Sequence, residues 1–343
     1  MALIDFKVLP GIDKQDTTAG AEFRWVDSDN VRFRYNLPEK VGGWSSLISD
    51  TIVGVARREF AFVDLEGNRY VAIGTDKFLL IYFEGQLYDI TPLKATLSSA
   101  TIATTEDSAV CDITTGSNHG LSAGDIVLLD NVTLPGGTGF TDADFEDKLF
   151  QVTSITSATV FTVTQSSNAT ATVSTGGSID VKPYEQVGPA EQSYGYGWGI
   201  DTWGSGNWGE AASASDVSLE PGLWSLSNFG QVLVATIANG KTFTWNAGDA
   251  ARLTTRASTT TSGFQTTNNP TATRVTLVSP TTRHLIHLGT ETTIGDTSTQ
   301  DDMFIRFSDQ EDINDYTPTA INSAGTQRLQ DGTKIIGALK AKE

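Results

Sequence analysis

The stretch RYVAIGTDKFLLIYFEGQLYDIT, residues 69–91, decides the fold class. Its apolar residues fall into three short runs, RYVAIGT from Arg69, FLLIYF from Phe78 and QLYDIT from Gln86, with turns expected at Asp76-Lys77 and Glu84-Gly85. Runs of this length, rich in Val, Ile, Tyr and Phe and bounded by turn residues, read as strands of an antiparallel meander. Upstream, IVGVARREFAF from Ile52 adds a fourth strand through a turn over Asp64-Leu65-Glu66-Gly67-Asn68.

The pattern recurs along the chain. VLVATI at Val232 to Ile237, followed by Asn239-Gly240 and by TFTW ending at Trp245, predicts a hairpin with a type I′ turn, because Asn-Gly tolerates two successive positive φ angles. TRVTLVSP from Thr273, RHLIHLGT from Arg283 and MFIRFSD from Met303 form another unit, and a further one begins at TKIIGAL from Thr333. Helical periodicity is scarce. The chain therefore reads as all-β, built of β-propeller-like four-stranded meanders, with a stack of meanders in a sandwich as the alternative arrangement.

Between the first two units, Ser and Thr become dense and basic residues thin out. Strands are expected at AVCDITT from Ala109, DIVLLDNV from Asp125, KLFQVTSI from Lys148 and TVFTVT from Thr159. Phe150 with Val152, and Phe161 with Val163, supply the period-two apolar face of a small β-barrel or sandwich. The expected organisation is an N-terminal arm and first blade over residues 1–93, an inserted small β domain over 94–182, a Trp/Gly-rich region over 183–222 and further blades over 223–343, the last incomplete.

A chain of 343 residues with 38% apolar residues and 33 glycines can bury a sizeable core without staples. Its single cysteine, Cys111, excludes an internal disulfide and a thiolate zinc cluster. No secretory leader or apolar run of membrane-spanning length is evident, so the expectation is a soluble protein made in a cytoplasm, without membrane insertion. Forty-one acidic against 23 basic residues give a formal net charge of -18, which argues against tight grip on nucleic acid.

Chemistry-bearing residues are few. His284 and His287 lie three apart in an expected strand, so their rings point to opposite sides, and no third ligand accompanies them. His119 falls in the turn GSNHGLSAGD, and Cys111 reads as a buried filler on a strand. Asp142, Asp144, Glu146 and Asp147 imitate the opening of a calcium loop but lack its turn glycine and terminal glutamate; Asp27 and Asp29 before Asn30 form a shorter version. Both read as solvated loops. Neither a Walker loop nor a G-x-S-x-G elbow is present. The sequence thus offers no catalytic residue, cofactor or metal. The segment YGYGWGIDTWGSGNWGE instead places Trp198, Trp203 and Trp208 at five-residue spacing among glycines, as indole anchors of a candidate interface.

Several strings together resemble the tail hub or nozzle proteins of short-tailed bacteriophages: LPGIDKQDTTAGAEFRWVDSDNVRFR, LPEKVGGW from Leu37, and RFSDQEDINDYTPTAINSAGTQRLQDGTKIIGAL. The last is the most specific, through Arg306, Ser308, Asp309, Asp312, Asp315, Pro318, Asn322, Ala324, Gly325 and an expected strand Ile335 to Leu339. The string HGLSAGDIVLL resembles small β domains that decorate phage tail proteins. The resemblance implies a virion structural protein with a β-propeller core, assembled as a homo-oligomeric ring, classically a homohexamer. The ring would sit below the portal and adaptor, near needle, fibre or plug proteins, and would conduct and retain DNA until ejection. Members of that group continue beyond the strand at Ile335, so the expectation is either a fragment or closure of the last strand with the N-terminal segment. An acidic wall would let DNA pass without tight binding, and Arg32, Arg34, Arg57 and Arg58 gathered inside would contradict that. A carbohydrate-binding or glycan-cleaving propeller of a phage tail is the alternative, since tryptophan-rich loops stack on sugars.

Overall fold

A computed structural model of the protein describes residues 8–46, 48, 50–191, 220–259 and 269–340. Trp198, Trp203 and Trp208 lie outside the described residues. The chain divides into two units, residues 1–49 and 50–343. In the first, β1 (Leu9–Ile12) pairs in parallel with β2 (Arg24–Trp25), and β3 (Val31–Arg34) forms a hairpin with β4 (Leu37–Lys40). Tyr35 and Asn36 close that hairpin with φ of 49° and 65°, the two positive values of a type I′ turn.

The named strand pairs of the second unit are all antiparallel, as the alternating runs predict. Its first sheet is the meander β5 (Ala56–Val63), β6 (Arg69–Thr75), β7 (Leu79–Phe83) and β8 (Gln86–Asp89). Phe83 pairs with Gln86 across Glu84-Gly85, whose φ angles of 47° and 89° again make a type I′ turn.

The chain then enters a closed six-stranded barrel, formed by β9 (Leu97–Thr104), β10 (Val110–Thr114), β11 (Ile126–Thr133), β12 (Lys148–Ser157), β13 (Val160–Thr164) and β14 (Val173–Pro183) in the order β10-β13-β12-β11-β14-β9. Two of these, β9 and β14, went unread in the sequence because Ser, Thr and Gly dominate them. Register shifts at Gly176 and Ile179 bend β14 against β9, which is how a short sheet turns far enough to close. Gly177, at φ 74°, is required there: a Cβ would lie 2.4 Å from the Thr133 carbonyl oxygen. Phe161, Val163 and Val152 point inward together with Ile102, Leu129 and Ile179.

The way in and the way out of the barrel lie side by side. Leu93 bridges Tyr184, the Lys94 N–H donates to the Pro183 carbonyl at 2.8 Å, and the Glu185 N–H donates to the Pro92 carbonyl at 2.9 Å. An inserted module with adjacent ends interrupts its host least.

The second sheet comprises β15 (Trp224–Phe229), β16 (Val232–Ile237) and β17 (Thr242–Asn246); a fourth strand is reduced to the bridge between Thr244 and Ser258. The third comprises β18 (Thr273–Val278), β19 (Leu285–Thr290), β20 (Phe304–Phe307) and β21 (Gly325–Arg328). Two expectations change here. The last sheet has four strands, with β21 as the fourth, and no further unit begins at TKIIGAL among the described residues. Residues 335–339 join no strand among the described residues beyond the Ile335 N–H donating to the Asp302 carbonyl at 3.1 Å, and Ile336 and Leu339 are 77% and 91% exposed, so an apolar run with strand propensity forms no ladder where none is offered. At the Asn239-Gly240 turn, Asn239 takes φ 60° but Gly240 does not take a positive value. The tight turn instead centres on Ala238-Asn239, with the Gly240 N–H donating to the Ile237 carbonyl. Pairing with the next sheet decides this: Asn239 N–H donates to the Thr273 carbonyl at 2.8 Å and Thr273 N–H to the Gly240 carbonyl at 3.1 Å.

The three sheets stack face to face through shared cores. Between the first and second, Trp245 is buried edge-on to Tyr70 at 5.6 Å and to Phe62 at 6.4 Å, and its Nε1 donates to the Arg252 and Thr255 carbonyls. Gly74 lets the sheets approach, since a Cβ there would meet the Trp224 ring atoms at 2.7 Å. Val234, Val278, Leu285 and Tyr316 fill the space between the second and third sheets. The first strands of those sheets, β15 and β18, also meet edge to edge without a ladder. Ser225 Oγ donates to the Thr276 carbonyl at 2.8 Å and accepts its N–H at 3.1 Å, while Ser227 Oγ accepts the Val278 N–H at 3.3 Å. Serine hydroxyls thus satisfy backbone groups that a strand would otherwise take. The other face of the first sheet is covered by the barrel, through Ile73, Phe78, Leu80 and Tyr184 with Ile126 and Leu128 packed against them.

Candidate functional site

Among the described residues, the histidines, Cys111 and the acidic loop singled out in the sequence are each engaged in local contacts. His119 Nδ1 accepts the Leu121 N–H at 2.9 Å, which places the proton on Nε2, and that nitrogen donates to the Ser157 carbonyl at 3.0 Å. Cys111 is enclosed in the barrel, where burial first and the Asp112 charge second push its thiol up to about 11. Such a thiol stays protonated and unreactive.

Of the two other histidines, His284 lies just before β19 and His287 within it, and they have separate partners. His284 Nδ1 bonds the Ser308 carbonyl at 2.8 Å. His287 is fully buried in a hydrogen-bond chain of one direction. Thr290 Oγ1 donates to the Ala272 carbonyl, so Thr273 Oγ1 must donate to Thr290 and accept from His287 Nδ1–H. His287 Nε2 then accepts from the Tyr316 hydroxyl at 3.0 Å. This arrangement needs a neutral ring, and burial, with the Arg306 charge as a lesser cause, lowers the imidazole to about 3.

The acidic loop is divided among local tasks. Asp142 Oδ1 accepts the Leu134 N–H at 2.8 Å, and Asp144 Oδ2 accepts both the N–H and the hydroxyl of Thr141 at 2.8 Å. The fold brings Asp130, which sequence spacing did not suggest, to Glu146 and Asp147, with one carboxylate oxygen of each within 4.8 Å of the others. Lys182 is ion-paired to Asp130, and Glu146 Oε2 accepts the Val132 N–H at 2.7 Å. Asp27 is paired with Lys14 in the first unit.

The string that carries the phage resemblance forms the connection between β20 and β21, and nearly every polar residue in it is engaged. Ser308 Oγ accepts the Leu285 N–H at 3.0 Å, anchoring the loop to β19. Asp309 Oδ1 accepts the Gln310 N–H and the N–H and hydroxyl of Ser323. The Ser323 hydroxyl first, then those backbone N–H groups, hold the Asp309 carboxyl below its ordinary range. Asn322 Nδ2 donates to Asp315 Oδ2 and to the Thr317 carbonyl, both at 2.8 Å, while its Oδ1 accepts the Thr319 N–H. Ile321 stands at the tip, 98% exposed.

Two further sites join distant parts of the chain, and the sequence announced neither. Asp89 at the end of β8, Tyr184 after β14 and Arg256 after β17 converge: Arg256 donates to Asp89 Oδ2 at 2.9 Å and to the Tyr184 hydroxyl at 2.7 Å, and that hydroxyl donates to Asp89 Oδ2 at 2.6 Å. This latch ties the barrel to the first two sheets. Burial, then the Asp89 charge, raises the Tyr184 phenol, which keeps it a donor. The second site is a cavity of about 560 Å³ beside the first strands of the three sheets, lined by Arg57, Arg58, Arg274 and Lys334 with Glu220. Arg57 and Arg58 therefore both border this cavity, Arg57 half-buried and Arg58 exposed, whereas Arg32 is paired with Glu39 in the first unit.

No protein-family model matches the chain, and no curated protein matches it. Among solved structures, the chain is similar to the phage phi92 endosialidase at 15% identity, over 78% of this chain and 36% of that one, with a TM-score of 0.21. The chain spans about a third of the length of that protein, and a likeness at this level fixes neither fold nor activity. No helix among the described residues is long and apolar enough to cross a membrane.

Proposed function

We propose that this chain is a noncatalytic structural protein of a short-tailed bacteriophage virion, a tail hub or nozzle subunit that assembles as a ring and conducts and retains DNA through assembly and ejection. The observation that supports this reading is the β20–β21 connection. The residues that carry the sequence resemblance, Ser308, Asp309, Asp315 and Asn322 among them, hold a long loop in one shape and leave its apolar tip, Ile321, in solvent. A loop so fixed presents a defined surface to a neighbour at little entropic cost. The function of such a protein lies in its interfaces, with other copies in a ring, probed first as a hexamer, and with portal, adaptor and needle or fibre proteins. DNA passes it without a tight grip, as the net charge of -18 favours.

The deciding experiment is mass photometry of the purified chain followed by electron microscopy of the particles and of intact virions. A closed ring of defined stoichiometry at the DNA exit of the tail is the expected result. A monomer that releases reducing sugar from host polysaccharide would replace this reading with the glycan-cleaving one.

A further inference from the structure

We infer that the cavity beside β5, β15 and β18 is a binding site for a small multivalent oxyanion. In a chain of net charge -18, four cationic side chains, Arg57, Arg58, Arg274 and Lys334, line one space of about 560 Å³, and Glu220 is the carboxylate among its lining residues. They come from β5, β18 and the segment after β21, so the fold has concentrated them.

The bonding within the cavity shows what a guest would meet. Glu220 receives Arg274 Nη2 at 2.7 Å on Oε2 and Lys334 Nζ on Oε1, so its carboxylate marks the place where two cations converge on oxygen. Its side chain is 42% exposed and can swing aside, whereas that of Arg274 is 12% exposed and is further held by the Ile335 carbonyl and Asp302. Arg57 is fixed by carbonyls alone, those of Gly222 at 2.7 Å, Pro189 and Ala190, so its orientation is set while its charge is left uncompensated. Arg58, exposed on β5, pairs with no carboxylate among the described residues. Two of the four charges are therefore uncompensated, and Lys334 joins them when Glu220 leaves, while Arg274 keeps Asp302 as a partner. A ligand with several negative oxygens, phosphoryl or carboxylate, meets fixed guanidinium forks that suit either geometry. This site goes beyond the structural role proposed above and stands or falls independently of it.

The test is calorimetric titration of the full chain with inorganic pyrophosphate and with citrate at constant ionic strength, sodium chloride serving as the control. Saturable binding of pyrophosphate alone assigns a phosphoryl ligand, of citrate alone a carboxylate ligand, and of both the shared chemistry. Glu220→Gln removes the resident competitor and should tighten binding about fivefold, while Arg58→Ala should weaken it about fivefold. Unchanged melting temperatures would show that both variants remain folded. Heats no different from those of sodium chloride, or equal affinity in the parent and both variants, would overturn the assignment.

Discussion

Within residues 50–343 the barrel fills its interior with its own side chains, whereas each open sheet depends on a neighbour. The barrel core, from Ala100 to Val181, draws on its own six strands, and closure leaves no edge to protect. The core between the first and second sheets takes Phe62, Tyr70 and Ile81 from one and Trp224, Leu233 and Trp245 from the other. Neither sheet could keep that face dry alone. One chain therefore carries a self-sufficient module and a cooperative stack, joined by the Arg256, Asp89 and Tyr184 latch.

The comparison breaks most decisively if the parts are separated. Residues 94–184 expressed alone should unfold in one cooperative transition, and residues 223–259 alone should show none; circular dichroism in a urea gradient checks both. An unfolded barrel fragment would mean that its stability is borrowed from the first sheet.

A smaller effect is expected from Trp245→Ala, which should cost about 3–5 kcal/mol by emptying the core between the first and second sheets. Chemical denaturation followed by hydrogen exchange should place the lost protection in the sheets and leave the barrel amides protected. Equal loss in both regions would show a single cooperative unit.

Between pH 7 and pH 5 the third sheet should lose stability through His287. His287 is lowered to about 3 from an ordinary 6.5, so between these values the unfolded chain takes up a proton that the folded chain refuses. Stability is then constant above 6.5 and falls as pH drops below it, by about 1.4 kcal/mol per pH unit, or about 2 kcal/mol at pH 5. Arg306, opposite on β20, opposes any imidazolium there. Denaturation midpoints at pH 7 and pH 5 test this, and His287→Gln should flatten the dependence.

The smallest change expected is Ser225→Ala, at about 1 kcal/mol, because it leaves the Thr276 N–H and carbonyl facing β15 without a partner. Amide exchange at Thr276, faster in the variant, would isolate this edge contact from the stacking of the sheets.

Strand existence was legible in most of the strongly apolar runs, and those from Arg69 and Val232 coincide with β6 and β16, whose bounds are Arg69–Thr75 and Val232–Ile237, whereas β15, WSLSNF, went unread. It was not legible in LSSATIAT or VSTGGSIDVKP, where small polar residues are held by their neighbours on both sides. Histidine and cysteine roles were readable because each lacks the companions that chemistry requires. The latch and the cavity were not, since Asp89 and Arg256, or Arg57 and Arg274, stand far apart in sequence and no local pattern links them.

The sequence by itself determined the all-β class, the meander order and the inward faces of the barrel, because backbone alternation and turn chemistry act within a few residues. Only the tertiary structure decided the rest. Closure of the barrel, the displaced turn at Asn239, the unpaired run from Ile335 and the gathering of cations around Glu220 depend on which surfaces meet, and a sheet face gains stability only from whatever covers it.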